Sequence, residues 1–193
     1  MVMIGHPFTA AAVKELRLGD MVSLSGRVYT ARDNVCRYLY DHAKAPADLR
    51  DGALYHCGPI VDGKDNLWKV ASAGPTTSMR VEKYTPRIIE QHHVRVLIGK
   101  GGMGQSTRKA CAKHACVYLQ AVGGAASVLA ESIINVAGVH FLTEFGSAEA
   151  MWTFEMSNFV GVVSIDTAGR SLHDRVRRSS KRELRKLIAD GDA

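Results

Sequence analysis

Hydrophobic and polar residues alternate over some stretches of the chain and recur at helical spacing over others. Alternation around Val22, Leu24 and Val28 predicts a half-buried strand over residues 21–30. Helical spacing over 31–44 predicts a helix that ends before Pro46. By the same criteria we predict strands at 53–57, 67–73, 94–99, 116–122, 139–145, 151–157 and 160–166, helices at 78–91, 105–114, 125–136 and 172–189, and a turn at 62–66.

The order of these elements determines the expected fold class. Strands alternate with helices through the middle of the chain, which favours an α/β fold, a mixed sheet with flanking helices. Between residues 139 and 166 the strands follow one another without a helix, so part of the sheet should be antiparallel and a purely parallel Rossmann topology fits badly. No repeat or long linker divides the chain. We therefore expect a single domain over residues 1–193, with a basic C-terminal helix at about 171–190.

Composition narrows the class of protein. With 193 residues, of which 46% are hydrophobic and 23% charged, the chain matches globular averages, which excludes a disordered or fibrous protein. The apolar runs fall far short of the ~20 residues that span a bilayer, and the N-terminus lacks the pattern of a secretion signal. The cysteines, which are Cys36, Cys57, Cys111 and Cys116, are too irregularly spaced for a disulfide framework or a metal centre. We expect a cytoplasmic protein that binds no membrane and that itself holds no metal.

The positive charge is concentrated at one end of the chain. The net charge is +6, and residues 170–193 contain eight Lys or Arg against four Asp or Glu, with no aromatic residue. Proteins that bind single-stranded nucleic acid usually combine basic and aromatic side chains. We therefore expect no nucleic-acid binding and interpret the segment as a helix on the surface. A non-catalytic basic interaction protein stays open as an alternative.

Candidate chemistry lies at three glycine-containing junctions, each where a predicted strand is followed by a predicted helix. The runs are GPTTSMR at 74–80, GKGGMGQS at 99–106 and VGGAAS at 122–127. Unpaired backbone N–H groups and the positive end of a helix dipole favour an anion at such junctions, and glycine lets a ligand approach closely. The residues predicted to bind a substrate with one or two carboxylates are Thr76, Thr77, Arg80, Lys100, Gly101, Gly102, Gly123 and Gly124.

The second junction also matches the spacing of a dinucleotide-binding loop. Gly99, Gly101 and Gly104 fit G-x-G-x-x-G between a strand and a helix. The acidic residue that should end the next strand, about twenty residues later, is missing. The lysine of a phosphate-binding loop is missing before Ser106 as well. A nucleotide-binding module therefore stays only as an alternative.

Two side chains are candidates for the catalytic step. His56 lies at the end of a predicted strand beside a Gly-Pro turn, so we expect it to face the same crevice as the junctions. Lys100 follows the next strand but one and contributes a full positive charge there. The neighbouring Cys57 is interpreted as a small buried hydrophobic residue.

Five motifs, in this order, resemble the class I (iron–sulfur) fumarase family. They are YHCGP at 55–59, GPTTSMR at 74–80, GKGGMG at 99–104, VGGAA at 122–126 and EFGSAEA at 144–150. The similarity covers residues 16–174 and is to the family's C-terminal domain, which is a separate β subunit in two-subunit members. L(+)-tartrate dehydratase β subunits belong to the same family. For the fold, the resemblance implies a swivelling β/β/α domain.

For function, the resemblance implies a hydro-lyase that reversibly hydrates fumarate to malate, with L(+)-tartrate dehydratase as the nearest rival. In the family a [4Fe–4S] cluster on the other domain or subunit binds the C4 dicarboxylate substrate as a Lewis acid. We therefore expect a hetero-oligomer with a cluster-bearing α subunit, and no activity from this chain alone. Arg80 matches the family's substrate carboxylate ligand, and Lys100 lies in a loop where single-chain members tend to carry an arginine. Single-chain members favour a threonine for proton transfer, which has no match here, so the proton-transfer residue is left unassigned, with His56 and Lys100 as candidates.

Overall fold

Strands and helices alternate along the residues that the structure, a computed structural model, describes, which are 1–64 and 67–191. The strands are β1 (Val2–Gly5), β2 (Met21–Thr30), β3 (Ala53–Tyr55), β4 (Ile60–Lys64), β5 (Leu67–Ser72), β6 (Val96–Gly99), β7 (Val117–Gln120), β8 (Ile133–His140) and β9 (Met151–Ile165). The helices are α1 (Ala10–Lys14), α2 (Asp33–Asp41), α3 (Thr85–His92), α4 (Gln105–His114), α5 (Ala126–Ala130), α6 (Leu142–Phe145) and α7 (Leu172–Gly191). A 3-10 helix spans Ser78–Val81.

One mixed sheet of seven strands forms the centre of the fold, and β4 and β5 make a separate hairpin. Strands β1, β2, β3, β6 and β7 pair in parallel in that order, and β9 runs antiparallel to β7 and β8. The 15-residue β9 also pairs with β2, so β2, β3, β6, β7 and β9 close into a ring. Closure satisfies backbone groups that an open sheet would leave at its edges. The predicted mixed sheet with an antiparallel part is confirmed.

Two hydrophobic clusters lie on the two faces of this sheet. Ala53 and Tyr55 of β3 belong to the cluster enclosed by the ring, whereas Leu54 belongs to the cluster under helices α2, α3 and α4. This division follows from the alternation of side chains along a strand. Parallel strands that are buried on both faces are apolar throughout, and all four residues of β6 are buried.

The prediction of a helix over 125–136 is wrong in its second half. Helix α5 ends at Ala130, and β8 begins at Ile133 and pairs with β9. Ile133, Ile134 and Val136 are β-branched, and they fit a pleated surface better than a helix. The predicted strand over 139–145 is also wrong beyond His140, because Leu142–Phe145 forms one helical turn.

Other elements differ in their bounds. The strands predicted at 151–157 and 160–166 are a single strand, β9, which passes Asn158 with a φ of 55°. The helix predicted over 78–91 is a 3-10 helix followed by α3, and Pro86 lies in the first turn of α3, where proline is tolerated. We did not predict β1, α1 or β4. Residues 62–64 of the predicted turn belong to β4, and residues 65 and 66 lie outside the described residues.

The basic C-terminal helix forms as α7, and it leaves the body of the protein soon after it begins. Ser171 is buried, but every residue from Arg175 to Ile188 is exposed. Within the described residues, no helix is both long enough and apolar enough to cross a bilayer.

Candidate active site

The candidate residues lie where the parallel strands end. Strands β3, β6 and β7 are parallel neighbours, so their carboxyl ends meet at one edge of the sheet. His56 follows β3, Lys100 follows β6, and Gly123 and Gly124 lie shortly after β7. In α/β folds with parallel strands, whether the sheet is open or closed into a barrel, ligands bind at the carboxyl ends of the strands.

The first glycine junction reaches the same edge through two backbone bridges. Cys57 pairs with Pro75, and Thr77 pairs with Lys100. The N–H of Thr76 donates to the carbonyl of His56 at 2.8 Å, and that of Ser78 to the carbonyl of Lys100 at 3.1 Å. These two N–H groups therefore hold the junctions together, whereas we had expected unpaired N–H groups that face a ligand.

The third junction packs against the other two. The N–H of Ala73 donates to the carbonyl of Ala126 at 3.0 Å, and a Cβ at Gly74 would lie 2.8 Å from the Cβ of Ala126. A Cβ at Gly123 would lie 3.5 Å from Cδ of Lys100. The structure thus brings the three predicted junctions into a single surface.

This surface is open and carries cationic and hydroxyl groups. Thr77, Arg80, Gly101, Gly123 and Gly124 are exposed. Thr76 and Lys100 are partly exposed, and Gly102 is buried. Among the described residues Lys100 makes no ion pair, so its charge is available to a ligand.

Arg80 belongs to a charged cluster that our sequence analysis missed. Its guanidinium lies 3.0 Å from Asp33, and its side chain is 54% exposed. Arg32, the residue before Asp33, lies 3.0 Å from Glu149, which also accepts the N–H of Asn34 at the start of α2. Two arginines therefore lie at this edge, linked through Asp33. The signal in the sequence was the Arg-Asp pair at the start of a predicted helix.

The N-terminus of α4 is occupied by a side chain of the protein itself. Glu82 accepts the N–H of Gly104 at 2.8 Å, the N–H of Thr107 at 3.1 Å and the hydroxyl of Thr107 at 2.7 Å. The expectation that this helix dipole faces a ligand anion is therefore wrong. A dinucleotide would need its pyrophosphate at the same N–H groups, so the nucleotide-binding alternative loses its site.

His56 lies beneath this surface rather than on it. It is 0% exposed, and burial lowers its pKa to about 4. Its Nδ1 lies 2.9 Å from Oγ of Ser78, which lies 2.8 Å from Oη of Tyr118, and its Nε2 has no partner within the described residues. The pKa of the Tyr118 hydroxyl is raised mainly by burial.

Two glycines allow close approach at the second junction, Gly99 to this buried network and Gly102 to His173. A Cβ at Gly99 would overlap Oγ of Ser78 and lie 2.9 Å from Oη of Tyr118. Gly102 has a φ of 72°, and a Cβ there would lie 2.7 Å from the ring of His173. Both positions therefore require glycine, for reasons of close approach and of backbone conformation.

The cysteines of this chain do not fit an iron–sulfur cluster. All four are buried, and burial raises the pKa of Cys57 to about 12 and that of Cys36 and Cys116 well above the usual range. A cluster ligand must be a thiolate. Among the described residues no group of three or more His, Cys, Asp or Glu is arranged to hold a metal ion.

Fold and surface together define a mixed α/β domain that gathers three glycine-containing loops, with cationic and hydroxyl side chains, at one edge of its sheet. Residues 1–176 match the family model described as Fumarase C-terminus, and the chain belongs to this family.

The chain matches one relative that is much longer than itself and others of similar length. It is 44% identical over 185 residues to a Geobacillus stearothermophilus protein provisionally named fumarate hydratase class I, covering 95% of this chain and 36% of that protein. It is 37% identical over 168 residues to L(+)-tartrate dehydratase subunit beta of Escherichia coli K12, and the match covers 86% of this chain and 83% of that subunit. A Methanocaldococcus jannaschii protein provisionally named L(+)-tartrate dehydratase subunit beta is 37% identical over 188 residues, covering 95% and 96%. The chain spans about a third of the first relative and most of the other two.

Proposed function

We propose that this chain is the β subunit of a hydro-lyase that reversibly hydrates fumarate to malate in a cleft shared with a cluster-bearing α subunit. The observation that carries the proposal is the convergence of three loops, with Thr77 bridged to Lys100 and Gly123 against the Lys100 side chain. Hydroxyl and cationic groups on these loops suit the carboxylates of a C4 dicarboxylic acid. Membership of the fumarase C-terminus family supports the same reaction.

Arg80 and Lys100 divide the binding of the two carboxylates. Asp33 holds the Arg80 guanidinium from one side, and the remaining N–H donors of the planar fork are free to pair with one carboxylate. Lys100 supplies the charge for the other carboxylate. The hydroxyls of Thr76 and Thr77 and the exposed backbone of the glycines donate to substrate oxygens.

The two candidates for proton transfer take different roles. His56 is fully buried and, with a pKa of about 4, is a weak base at neutral pH. We assign it to positioning, because it supports the loops from below through Ser78. Lys100 alone of the two reaches the open surface, and it is our candidate for the group that touches substrate.

The α subunit covers this surface and contributes the [4Fe–4S] cluster. Three apolar side chains stand exposed around the candidate residues: Met79 (52%), Val122 (65%) and Val128 (65%). Their exposure beside the polar site supports burial of this surface by another protein, since an apolar patch rimmed by polar residues is the usual mark of an interface. The complex is a cytoplasmic hetero-oligomer, and this chain is inactive without its partner.

Dehydration of L(+)-tartrate is the second candidate reaction, and one observation favours it. The chain spans 96% and 83% of two relatives named L(+)-tartrate dehydratase subunit beta, the first of them provisionally, against 36% of the relative provisionally named fumarate hydratase class I. Fumarate and tartrate are both four-carbon dicarboxylates, and the same cationic groups can hold either.

The test is co-purification with the α subunit under anaerobic conditions, followed by assays with fumarate and with L(+)-tartrate. We expect the complex to hydrate fumarate and this chain alone to be inactive, colourless and without stoichiometric iron. Faster turnover of tartrate selects the second candidate. A complex that acts on neither acid, or a chain that alone holds about four iron atoms, overturns the proposal.

A further inference from the structure

Helix α7 turns its arginines toward the body of the protein. A cleft of about 850 Å³ separates the helix from the body, and Asp174 is the one acidic residue in its lining. Six arginines line this cleft, three from the body and three from the helix: Arg17, Arg108, Arg170, Arg175, Arg178 and Arg182. We call it the arginine cleft.

The same helix turns apolar side chains toward solvent. Val176 is 61% exposed, Leu184 55%, Leu187 71% and Ile188 57%. Their spacing places them on one side of the helix. A surface helix normally buries its apolar side against the body, and most of its stability comes from that packing. The reversed orientation leaves this apolar stripe uncovered.

Much of the positive charge in the cleft is not compensated. Arg108 pairs with Asp174, Arg170 with Asp166 at 2.6 Å, and Arg182 with Glu183 at 3.4 Å. Arg17, Arg175 and Arg178 make no ion pair with any described residue. Guanidinium groups pair with carboxylates in a bidentate geometry, so the cleft suits an occupant with several acidic groups.

The cleft adjoins the candidate active site. His173, at the start of α7, packs on Gly102 in the loop that carries Lys100, and its ring would lie 2.7 Å from a Cβ there. Asp174 pairs with Arg108 of α4, the helix that follows the same loop. A protein that covers the candidate site therefore also meets the base of α7.

We propose that the arginine cleft binds an acidic segment of the α subunit, while a neighbouring apolar part of that subunit covers the stripe of Val176, Leu184, Leu187 and Ile188. This inference rests on the proposed function for the identity of the partner. A small anion or a nucleic acid would fill the cleft and leave the stripe exposed. A membrane could cover the apolar stripe, but it could not contact the arginines, which face the body of the protein. A second copy of this chain would bring more positive charge to the cleft.

The test compares binding of this chain and two variants to the purified α subunit under anaerobic conditions. The charge variant is Arg175→Glu/Arg178→Glu/Arg182→Glu, and the stripe variant is Leu184→Ser/Leu187→Ser/Ile188→Ser. The matched control, Arg37→Glu/Lys44→Glu/Lys69→Glu, changes the same number of exposed cations elsewhere. We expect the charge variant to raise Kd at least about tenfold and to weaken its dependence on salt. The stripe variant should also raise Kd, and the control should not.

Circular dichroism and thermal melting check that each variant is folded. We expect all of them to fold, because the substituted side chains are exposed. Binding of the charge variant with wild-type Kd overturns the proposal. So does a self-associated wild-type chain whose dimer needs the stripe, or tighter binding to pyrophosphate, RNA or anionic vesicles than to the α subunit. The hydratase assay separates this inference from the proposed function. If the complex needs the arginines to form but does not hydrate fumarate, only the proposed reaction is overturned. If the complex is active and forms equally well without the arginines, only the proposed role of the arginine cleft is overturned.

Discussion

Nδ1 of His56 lies 2.9 Å from Oγ of Ser78, directly beneath the loops that carry the candidate active site. The same hydroxyl lies 2.8 Å from Oη of Tyr118, so one line of polar contacts joins the end of β3, the 3-10 helix and β7. Hydrogen bonds in a low-dielectric interior are stronger than in water, and this line of contacts leaves only Nε2 of His56 without a partner among the described residues. The open surface of this protein is therefore supported from below by hydrogen bonds as well as by apolar packing.

The burial of His56 predicts a specific loss of stability in acid. Its pKa is about 4 in the folded protein, against about 6.5 in the unfolded chain. Between these values the unfolded state binds more protons, so the free energy of unfolding falls as the pH is lowered from 6.5 to 4. The full effect is roughly 3 kcal/mol. Urea unfolding at a series of pH values measures it.

The control for this prediction is His56→Asn, which removes the titrating group and keeps a nitrogen that can contact Ser78. The variant should be less stable at pH 7 but should lose less stability between pH 6.5 and 4 than the wild type. Equal losses in the two proteins would mean that His56 does not determine the acid sensitivity.

Gly99→Ala should destabilise the fold, because the added methyl group overlaps Oγ of Ser78 and crowds Tyr118. We expect a loss of about 2 kcal/mol in the free energy of unfolding, as is usual for overpacking. Gly138→Ala is the matched control, since a Cβ there has open space around it. Its effect should stay within about 0.5 kcal/mol. Equal changes in the free energy of unfolding for the two variants would show that Ser78 and Tyr118 can move to accommodate the added methyl group.

Much of the fold could be predicted from local patterns because its parallel strands are short, apolar and bounded by turn residues. The bounds predicted for β2 and α4 match the structure. The error at 125–136 has a long-range physical cause. The apolar residues of β8 are compatible with either period, and only pairing with β9, a partner distant in sequence, selects the strand.

The candidate site shows the same division between local and long-range information. The glycine junctions could be recognised because left-handed φ values and close approach demand glycine at positions such as Gly102. The pairing of Arg80 with Asp33 and the contact of Glu82 with the start of α4 could not. Each joins residues far apart in sequence, and no short motif encodes their distance.

Arg80→Lys should lower activity and leave stability nearly unchanged. Lysine keeps the charge but loses the planar fork that binds a carboxylate through two N–H groups. We expect kcat/KM of the assembled enzyme to fall about thirtyfold, or roughly 2 kcal/mol in transition-state binding. The ion pair with Asp33 is half exposed, and exposed pairs contribute at most about 1 kcal/mol to stability.

Arg37→Lys provides the comparison for Arg80→Lys, because Arg37 also faces an aspartate, Asp41, on an exposed surface. Both variants should melt close to the wild type, and only Arg80→Lys should lose activity. A normal kcat/KM together with a melting temperature lowered by many degrees would make Arg80 a structural residue and remove it from the proposed site.

Removal of residues 179–193 should leave the body of the protein folded. Leu184, Leu187 and Ile188 of this segment are exposed, so their loss uncovers no core. The contacts that fix α7 lie before the cut, in His173 against Gly102 and in Asp174 with Arg108. We expect the melting temperature to stay within about 2 °C of the wild type.

Removal of residues 171–193 takes these contacts away and leaves Arg108 half-buried without its carboxylate, so this longer deletion should melt several degrees lower. Differential scanning calorimetry of the two deletions checks both expectations. Loss of folded protein in the shorter deletion would mean that Leu184, Leu187 and Ile188 pack into the core of the isolated chain.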